Sequence, residues 1–494
     1  MTRSLSDRAG FLVIANCVKF GIGIVMPMIL VRMLTRSDYG TYQQMALISY
    51  TAVALLTFGL PTSVFYFNSH IGRRGLPALI VQTSLMLLIG GAIGSAAIYV
   101  DAAPIARLMN NPGMAPLLAV FGLSVGFVIA SEHSMSFLIA QNRYTLAVVF
   151  ELGEALIRLI LLLTPLWLGW GFTGLVIFIV IYSIVRFAVR TAYLFLRSGV
   201  SFSGLSGQWF FGQQLSYSAP IAMMALVVMT GSTFNRGILA ASFTPADYAV
   251  YAVGNVVLPF ATIFQSAVAN VLRAEMPALI RDGHLAEVVR IVRESTRKLS
   301  LIVLPAFVFL LAHSYEFITV LFTNSYASSV NVFRICVWEL PLDMLILSAI
   351  PQICGKTRAN MYINFAATAF LIVSSFGLVR GIGFYGAPLA GILTQYFTVV
   401  LFMIVVLRLL QTTFWKLMPV PQILRVLAVS AVAALVSWLP ATLSTHRLVN
   451  LIIEALVYGV VFLVLAGPAG VVTDEDRRLL RRWLGKVLPI GVGG

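Results

Sequence analysis

The sequence predicts an all-α polytopic membrane protein of about 14 transmembrane helices, built as two six-helix parallel repeats followed by two C-terminal helices. Three observations predict it. The 494 residues are 60% hydrophobic and only 10% charged, with a mean hydropathy of +0.95. A soluble domain is about 45–50% apolar and about 25% charged, so this chain has too few charged side chains to clothe a water-facing surface. Apolar runs recur from end to end at the length of roughly 20 residues that a helix needs to cross the hydrocarbon core. Finally, a set of short motifs occurs twice in the same order.

Read between clusters of charge, the spans fall near residues 11–34, 44–68, 79–100, 116–139, 145–168, 172–195, 215–240, 248–272, 297–315, 330–353, 359–379, 386–407, 423–440 and 447–467. The first run is long enough to stay in the membrane rather than act as a cleaved leader. Cys17, Cys336 and Cys354 all fall in or at the ends of spans and read as small buried residues. An even number of spans puts both termini on one side. With that side cytoplasmic, 24 of the 33 Lys and Arg residues lie in cytoplasmic segments, six on the opposite side, and Lys19, Arg158 and Arg236 within spans. This bias over short loops is the positive-inside pattern, so both termini are assigned to the cytoplasm. The net charge of +15 therefore orients helices, and nucleic acid is not expected as a partner.

The short loops exclude several functions. None is long enough to form a separate catalytic domain, and no G-x-x-x-x-G-K-[ST] phosphate loop occurs, which argues against ATP hydrolysis and against a glycosyltransferase or polymerase. Two polar stretches have amphipathic helical spacing. One carries Leu285, Val288, Val289 and Val292; the other, in the tail at 468–494, carries Leu479, Leu480, Trp483, Leu484 and Val487 among Arg477, Arg478, Arg481, Arg482 and Lys486. Both are expected to lie on the inner leaflet against anionic membrane lipids.

The repeat rests on three matches. Asp38-Tyr39-x-x-Tyr42 recurs as Asp247-Tyr248-x-x-Tyr251; Ile105 and Leu108 recur as Ile318 and Leu321; and Gly171-Phe172-Thr173-Gly174 recurs as Gly383-Phe384-Tyr385-Gly386, at offsets of 209, 213 and 212. A constant order and near-constant offset mark internal duplication. With six spans per unit both halves enter the membrane in the same sense, as in parallel-repeat transporters that bind substrate between their halves. The expected division is residues 1–200 and 201–410 for the two lobes, 411–467 for helices 13 and 14, and 468–494 for the cytoplasmic tail.

Charges inside spans are costly, roughly 2.5–3.5 kcal/mol each at a helix centre on insertion scales, and they supply the candidate site residues. Lys19 precedes Gly21, Gly23 and Pro27 in the first span, where a compact ammonium could meet an anionic group. Arg236, beside Asn235, lies near the outer end of the seventh span, and Arg273 borders the eighth. Glu154 stands one turn before Arg158, a spacing at which an intrahelical ion pair is the first expectation. Glu339 and Asp343 are one turn apart in the tenth span, and Glu132-His133 occupies the analogous place in the first repeat. Neighbouring carboxylates can share a proton and histidine exchanges one near neutral pH, so Glu132, His133, Glu154, Glu339 and Asp343 are the ion-coupling set, with H+ or Na+ as the ion. No metal-ligand cluster or cofactor motif is present. With all embedded groups ionised, three cations face six carboxylates, so an anionic substrate requires the acids to be paired or neutral. Asn255, Gln265, Asn364 and Gln395 are further polar candidates for contacts to a substrate.

The stretch Val31-Arg32-Met33-Leu34-Thr35-Arg36-Ser37-Asp38-Tyr39-Gly40-Thr41-Tyr42, with Phe234-Asn235-Arg236-Gly237-Ile238-Leu239, Cys354-Gly355-Lys356-Thr357-Arg358 and Gly383-Phe384-Tyr385-Gly386-Ala387, resembles polysaccharide transporters of the Wzx type. These belong to the multidrug/oligosaccharidyl-lipid/polysaccharide exporter superfamily, and the resemblance covers essentially the whole chain. It implies a non-enzymatic flippase of the bacterial plasma membrane that moves an undecaprenyl-pyrophosphate-linked oligosaccharide, an O-antigen or exopolysaccharide repeat unit, by alternating access. It further implies a monomer with a polysaccharide polymerase and a chain-length regulator as partners. A multidrug or organic-cation antiporter of the same superfamily is the alternative, as is a lipid II flippase, although the second span lacks the Lys and Arg residues that the latter resemblance calls for.

Overall fold

A computed structural model describes residues 21–198, 209–256, 259–439 and 446–472. Lys19 and the amphipathic tail lie outside the described residues. Among those residues the protein is all-helical. In chain order the helices are α1 (Gly21–Met33), α2 (Arg36–Leu56), α3 (Leu60–His70), α4 (Gly72–Val100), α5 (Ala102–Leu108), α6 (Ala115–Ser131), α7 (His133–Ala140), α8 (Tyr144–Trp167), α9 (Gly171–Ser198), α10 (Phe211–Ser242) and α11 (Pro245–Gly254). They continue with α12 (Pro259–Arg281), α13 (Leu285–Ala312), α14 (Ser314–Phe322), α15 (Ser329–Cys336), α16 (Ala349–Ile353), α17 (Thr357–Ile382), α18 (Gly386–Leu409), α19 (Phe414–Leu417), α20 (Val420–Ser437) and α21 (Arg447–Ala466).

Nine stretches among the described residues are long and apolar enough to cross a membrane. They take in ten of the fourteen expected spans, because α17 and α18 join into one stretch from Thr357 to Leu409. Of the other four, the first span is described only from Gly21, the fifth carries Glu151, Glu154 and Arg158, and the eighth and tenth are broken into shorter helices. Spans that bend do so at identifiable residues. The second is divided into α2 and α3 at Phe58 and Gly59, both with positive φ (48° and 70°). The fourth is divided into α6 and α7 at Glu132, and the tenth passes through a 3-10 helix from Val337 to Met344 that contains Pro341.

The chain packs as two compact units, Met1–Ala252 with Thr368–Ala390, and Val253–Ala367 with Gly391–Gly494. In the first unit α4 packs on α6 and α6 on α9. Small residues permit this, since a Cβ on Gly91 would stand 2.4 Å from the Gly126 carbonyl oxygen, and Ser95 Oγ donates to the Gly122 carbonyl at 2.9 Å. Gly122-x-x-x-Gly126 is thus a close-approach face of the small-residue kind used between membrane helices. α10 joins the same unit through Gln214, fully buried, whose amide donates to Ser63 Oγ and Thr83 Oγ1 at 2.9 Å and accepts from Gln82 at 2.6 Å.

The second unit has an apolar core that joins α12, α13, α16, α18, α20 and α21. His313, Ser437 and Glu454 are buried among its helices: His313 Nε2 lies 2.9 Å from Ser437 Oγ, and Nδ1 lies 3.0 Å from Glu454 Oε2. The segment after Asp282 differs from the surface helix expected of it. It is the first part of one continuous 28-residue helix, α13, and its Val288 and Val292 are buried in the core with Met276 and Leu417. The apolar stripe finds protein to pack against, so lipid does not have to cover it.

The duplicated motif has a structural cause. Asp38 and Asp247 belong to capping boxes: Thr35 Oγ1 donates to Asp38 at 2.7 Å and Thr244 Oγ1 to Asp247 at 2.6 Å, while the backbone amides of the aspartates return bonds of 3.1 and 3.2 Å. Each arrangement ties off a helix N-terminus. The following tyrosine pairs, Tyr39–Tyr42 and Tyr248–Tyr251, have ring centroids 6.3 and 6.2 Å apart, both tilted by 33°.

Candidate functional site in the first unit and paired carboxylates in the second

In the first unit, α6, α8 and α9 bring together a charged cluster whose members the sequence only partly indicates. Glu132, at the α6–α7 break, accepts from Arg186 Nη2 at 2.7 Å. Glu154 on α8 is held in a fork by Arg190 Nε and Nη2, both at 2.5 Å, and its Oε2 lies 3.6 Å from Arg186 Nε. Arg190 is only 6% exposed and its third contact is the Ser131 carbonyl at 3.3 Å. A two-point guanidinium–carboxylate contact suits a site with little water, because it meets the carboxylate's acceptors in their own plane.

Glu154 therefore does not form the intrahelical pair expected with Arg158. Arg190 reaches it from α9 and takes both oxygens, while Arg158 turns to Tyr42 of α2, with which it shares a side-chain hydrogen bond, and lies close to Tyr182. Among the described residues no carboxylate pairs with Arg158. Arg158 is exposed as a residue and its side-chain partner is the neutral Tyr42, whereas Arg186 and Arg190 are committed to acids. The expected excess of embedded acid is reduced accordingly: the two carboxylates of this cluster are matched by two arginines, and Arg158 is left over.

Arg186 and Arg190 are the residues that sequence reasoning missed, since both were counted with a cytoplasmic segment. A signal was present. They lie one turn apart inside the 172–195 run and hence on one face of a helix.

His133 points elsewhere than Glu132. It is buried and lies 2.7 Å from Ser84 Oγ of α4. Asn235 is also buried; its amide donates to the Ala387 carbonyl at 2.7 Å and its oxygen accepts from Ser375 Oγ at 3.3 Å. It ties α10 to α17 and α18 instead of extending a binding surface. Arg236, next in sequence, is exposed and near Tyr248.

The second unit holds the other candidates. Glu339 and Asp343 stand on the 3-10 helix from Val337 to Met344. Glu339 Oε1 accepts from Gln395 Nε2 of α18 at 3.0 Å, and Tyr396 donates to the Trp338 carbonyl at 3.2 Å. Non-helical backbone at membrane depth is tolerated where it lines a cavity or is buried in protein; Glu339 is exposed and Asp343 half-buried. Arg273 on α12 is exposed and donates to Asn270 of its own helix at 3.0 Å. Gln265 reaches toward the Leu345 carbonyl at 3.5 Å, and Asn364 donates within α17 to Asn360 at 2.7 Å. No group of three or more His, Cys, Asp or Glu side chains able to hold a metal occurs among the described residues.

The family model described as "Polysaccharide biosynthesis protein" matches residues 29–331, more than half of the chain. The chain belongs to that family. No curated protein sequence matches. Among solved structures, the chain is similar to "Lipid II flippase MurJ, inward closed conformation", with a TM-score of 0.68, 14% identity, and coverage of 92% of this chain and 98% of that one. It is also similar to an inward-facing multidrug resistance MATE family transporter of the MOP superfamily, with a TM-score of 0.62, 14% identity, and coverage of 80% and 96%. A MOP superfamily transporter from Pyrococcus furiosus gives a TM-score of 0.55, 14% identity, and coverage of 82% and 95%. At these identities the likeness is one of fold: a multi-pass membrane fold of transporters and flippases.

Proposed function

We propose that the protein is a flippase that moves an undecaprenyl-pyrophosphate-linked oligosaccharide, a repeat unit of O-antigen or exopolysaccharide, across the bacterial plasma membrane by alternating access. The observation that carries the reading is the left-over cation. In a cluster where Glu132 and Glu154 are satisfied by Arg186 and Arg190, Arg158 is exposed as a residue and, among the described residues, pairs with no carboxylate. A pyrophosphate would find there a planar donor group with a tyrosine hydroxyl beside it. Membership of a polysaccharide biosynthesis family and a fold like that of a lipid II flippase support the same substrate class. Lys19, Arg236 and Arg273 remain as further contacts of the anionic cargo, and Glu339 and Asp343 as the site of coupling to H+ or Na+.

The test is complementation of a strain that lacks its own flippase. Arg158→Gln should lose about ten- to a hundredfold in transport, the range expected from removing hydrogen bonds to a charged group, with lipid-linked oligosaccharide accumulating and protein level unchanged. Arg158→Lys should restore part of it. Normal surface polymer from Arg158→Gln would reject the assignment.

A further inference from the structure

The arginine-rich face of the second unit contains two kinds of cation. Several are matched locally: Arg281 pairs with Asp282 at 3.0 Å, Arg290 with Glu287 at 2.5 Å, and Arg297 and Lys298 with Glu294 at 2.6 and 3.5 Å. Arg293 caps α19 through the carbonyls of Trp415 and Lys416 at 2.9 and 2.8 Å. Of the cations with no such partner among the described residues, three share one cavity. Lys356 and Arg358, at the start of α17, and Arg408, in the last turn of α18, line a cavity of about 490 Å³ together with Thr357, Val405 and Leu409. All three are exposed.

Apolar rows run from this cavity into the membrane. Tyr362 and Phe365 follow Arg358 at intervals of four and seven residues, and Ile404 and Val400 precede Arg408 by four and eight, so each row shares a helix face with its cation. All four are exposed, with Tyr362 at 65% and Val400 at 54%. A site with three cations at one end, no acid, and apolar tracks leading away matches a ligand with an anionic head and a hydrocarbon tail. Three donors of this kind are suited to phosphate oxygens, and basic pockets between membrane helices bind lipid headgroups.

We infer that Lys356, Arg358 and Arg408 form a binding site for a phosphate-headed lipid of the leaflet they face, with its tail along the exposed rows of α17 and α18. A glycerophospholipid of the bulk membrane and a polyprenyl phosphate both present this head chemistry. The inference does not depend on Arg158 or on the flippase reading.

The test uses the full-length protein in a neutral detergent, with lipid adducts counted by native mass spectrometry and affinities taken from titration. Phosphatidylglycerol should bind with marked preference over phosphatidylcholine. At about fivefold per cation near a membrane surface, K356Q/R358Q/R408Q should weaken phosphatidylglycerol roughly a hundredfold, and each single variant about fivefold should the triple variant fail to fold. K356R/R408K should retain binding. R281Q/R290Q/K298Q, which removes the same charge from paired positions on the same face, should leave it unchanged. Displacement of phosphatidylglycerol by undecaprenyl pyrophosphate at lower concentration identifies the polyprenyl source, and failure to displace it identifies the bulk lipid; either supports the site. Binding by the triple variant within twofold of the parent, or equal binding of phosphatidylcholine, overturns it.

Discussion

The bridge between Glu154 and Arg190 gives the sharpest test of the packing that frames the first-unit site. Glu154→Leu would leave Arg190, 6% exposed, with only the Ser131 carbonyl at 3.3 Å. Breaking a buried pair from one side costs about 3–5 kcal/mol, because a charge stays behind without compensation. Arg190→Leu should cost less, about 1–3 kcal/mol, because Arg186 already stands 3.6 Å from Glu154 and Glu154 is 17% exposed. The double variant removes both charges and should be less destabilised than the sum of the singles by about 2 kcal/mol or more. The assay is unfolding of the purified protein in mixed micelles titrated with sodium dodecyl sulfate, with all four proteins of the cycle measured in one micelle composition. Losses additive within about 0.5 kcal/mol would refute the assignment of Arg190 to Glu154. A larger loss for Arg190→Leu than for Glu154→Leu would refute the role given to Arg186.

Three further outcomes can be measured by the same titration. Thr35→Ala and Thr244→Ala should each cost about 1 kcal/mol, the usual value of a helix N-cap, and their near-equality checks that the two capping boxes are equivalent. Gly126→Ala should cost about 1–3 kcal/mol by overpacking, since the new Cβ would stand 2.1 Å from Ser95 Oγ and 2.8 Å from the Gly91 carbonyl oxygen; Ser95→Ala in the same chain should relieve only the first clash. Asn235→Ala should cost about 1–3 kcal/mol by leaving the Ala387 carbonyl and Ser375 hydroxyl without their partner, while substrate affinity in the folded fraction stays at the parent value.

The repeat was readable because a capping box is local. Thr35 and Asp38 are three residues apart, as are Thr244 and Asp247, so one turn of chain contains the whole interaction and each copy stands in the sequence as the same pattern. Glu132 and Glu154 were readable as embedded carboxylates for a similar reason, since a charge within an apolar run identifies itself. Their partners were not. Arg186 lies 54 residues from Glu132, and Tyr42 lies 116 residues from Arg158, so these pairings exist only once α2, α6, α8 and α9 have packed. Sequence spacing favoured the neighbour one turn away, Arg158, and the tertiary contact displaced it. The segment from Leu285 was misread for the same reason. Amphipathicity shows that a stripe will be buried, but it does not distinguish lipid from the protein core that Met276 and Leu417 supply.

The pairing pattern also bears on how a flippase can both hold and release its cargo. A pyrophosphate held by three free arginines in a site of low dielectric would be bound too strongly to leave, and transport requires binding that is favourable on entry and weak enough for exit. Committing Arg186 and Arg190 to Glu132 and Glu154 removes two of the three from that competition while keeping their positive charge as a nearby counterweight. The left-over Arg158 then offers one guanidinium, already hydrogen-bonded to the neutral Tyr42. Exchanging that neutral partner for a phosphate oxygen costs less desolvation than extracting an arginine from an ion pair. On the proposed reading, the acids that outnumber the bases inside the spans serve to limit how tightly an anionic substrate is held, and removing Glu154 should therefore slow release even in molecules that still fold.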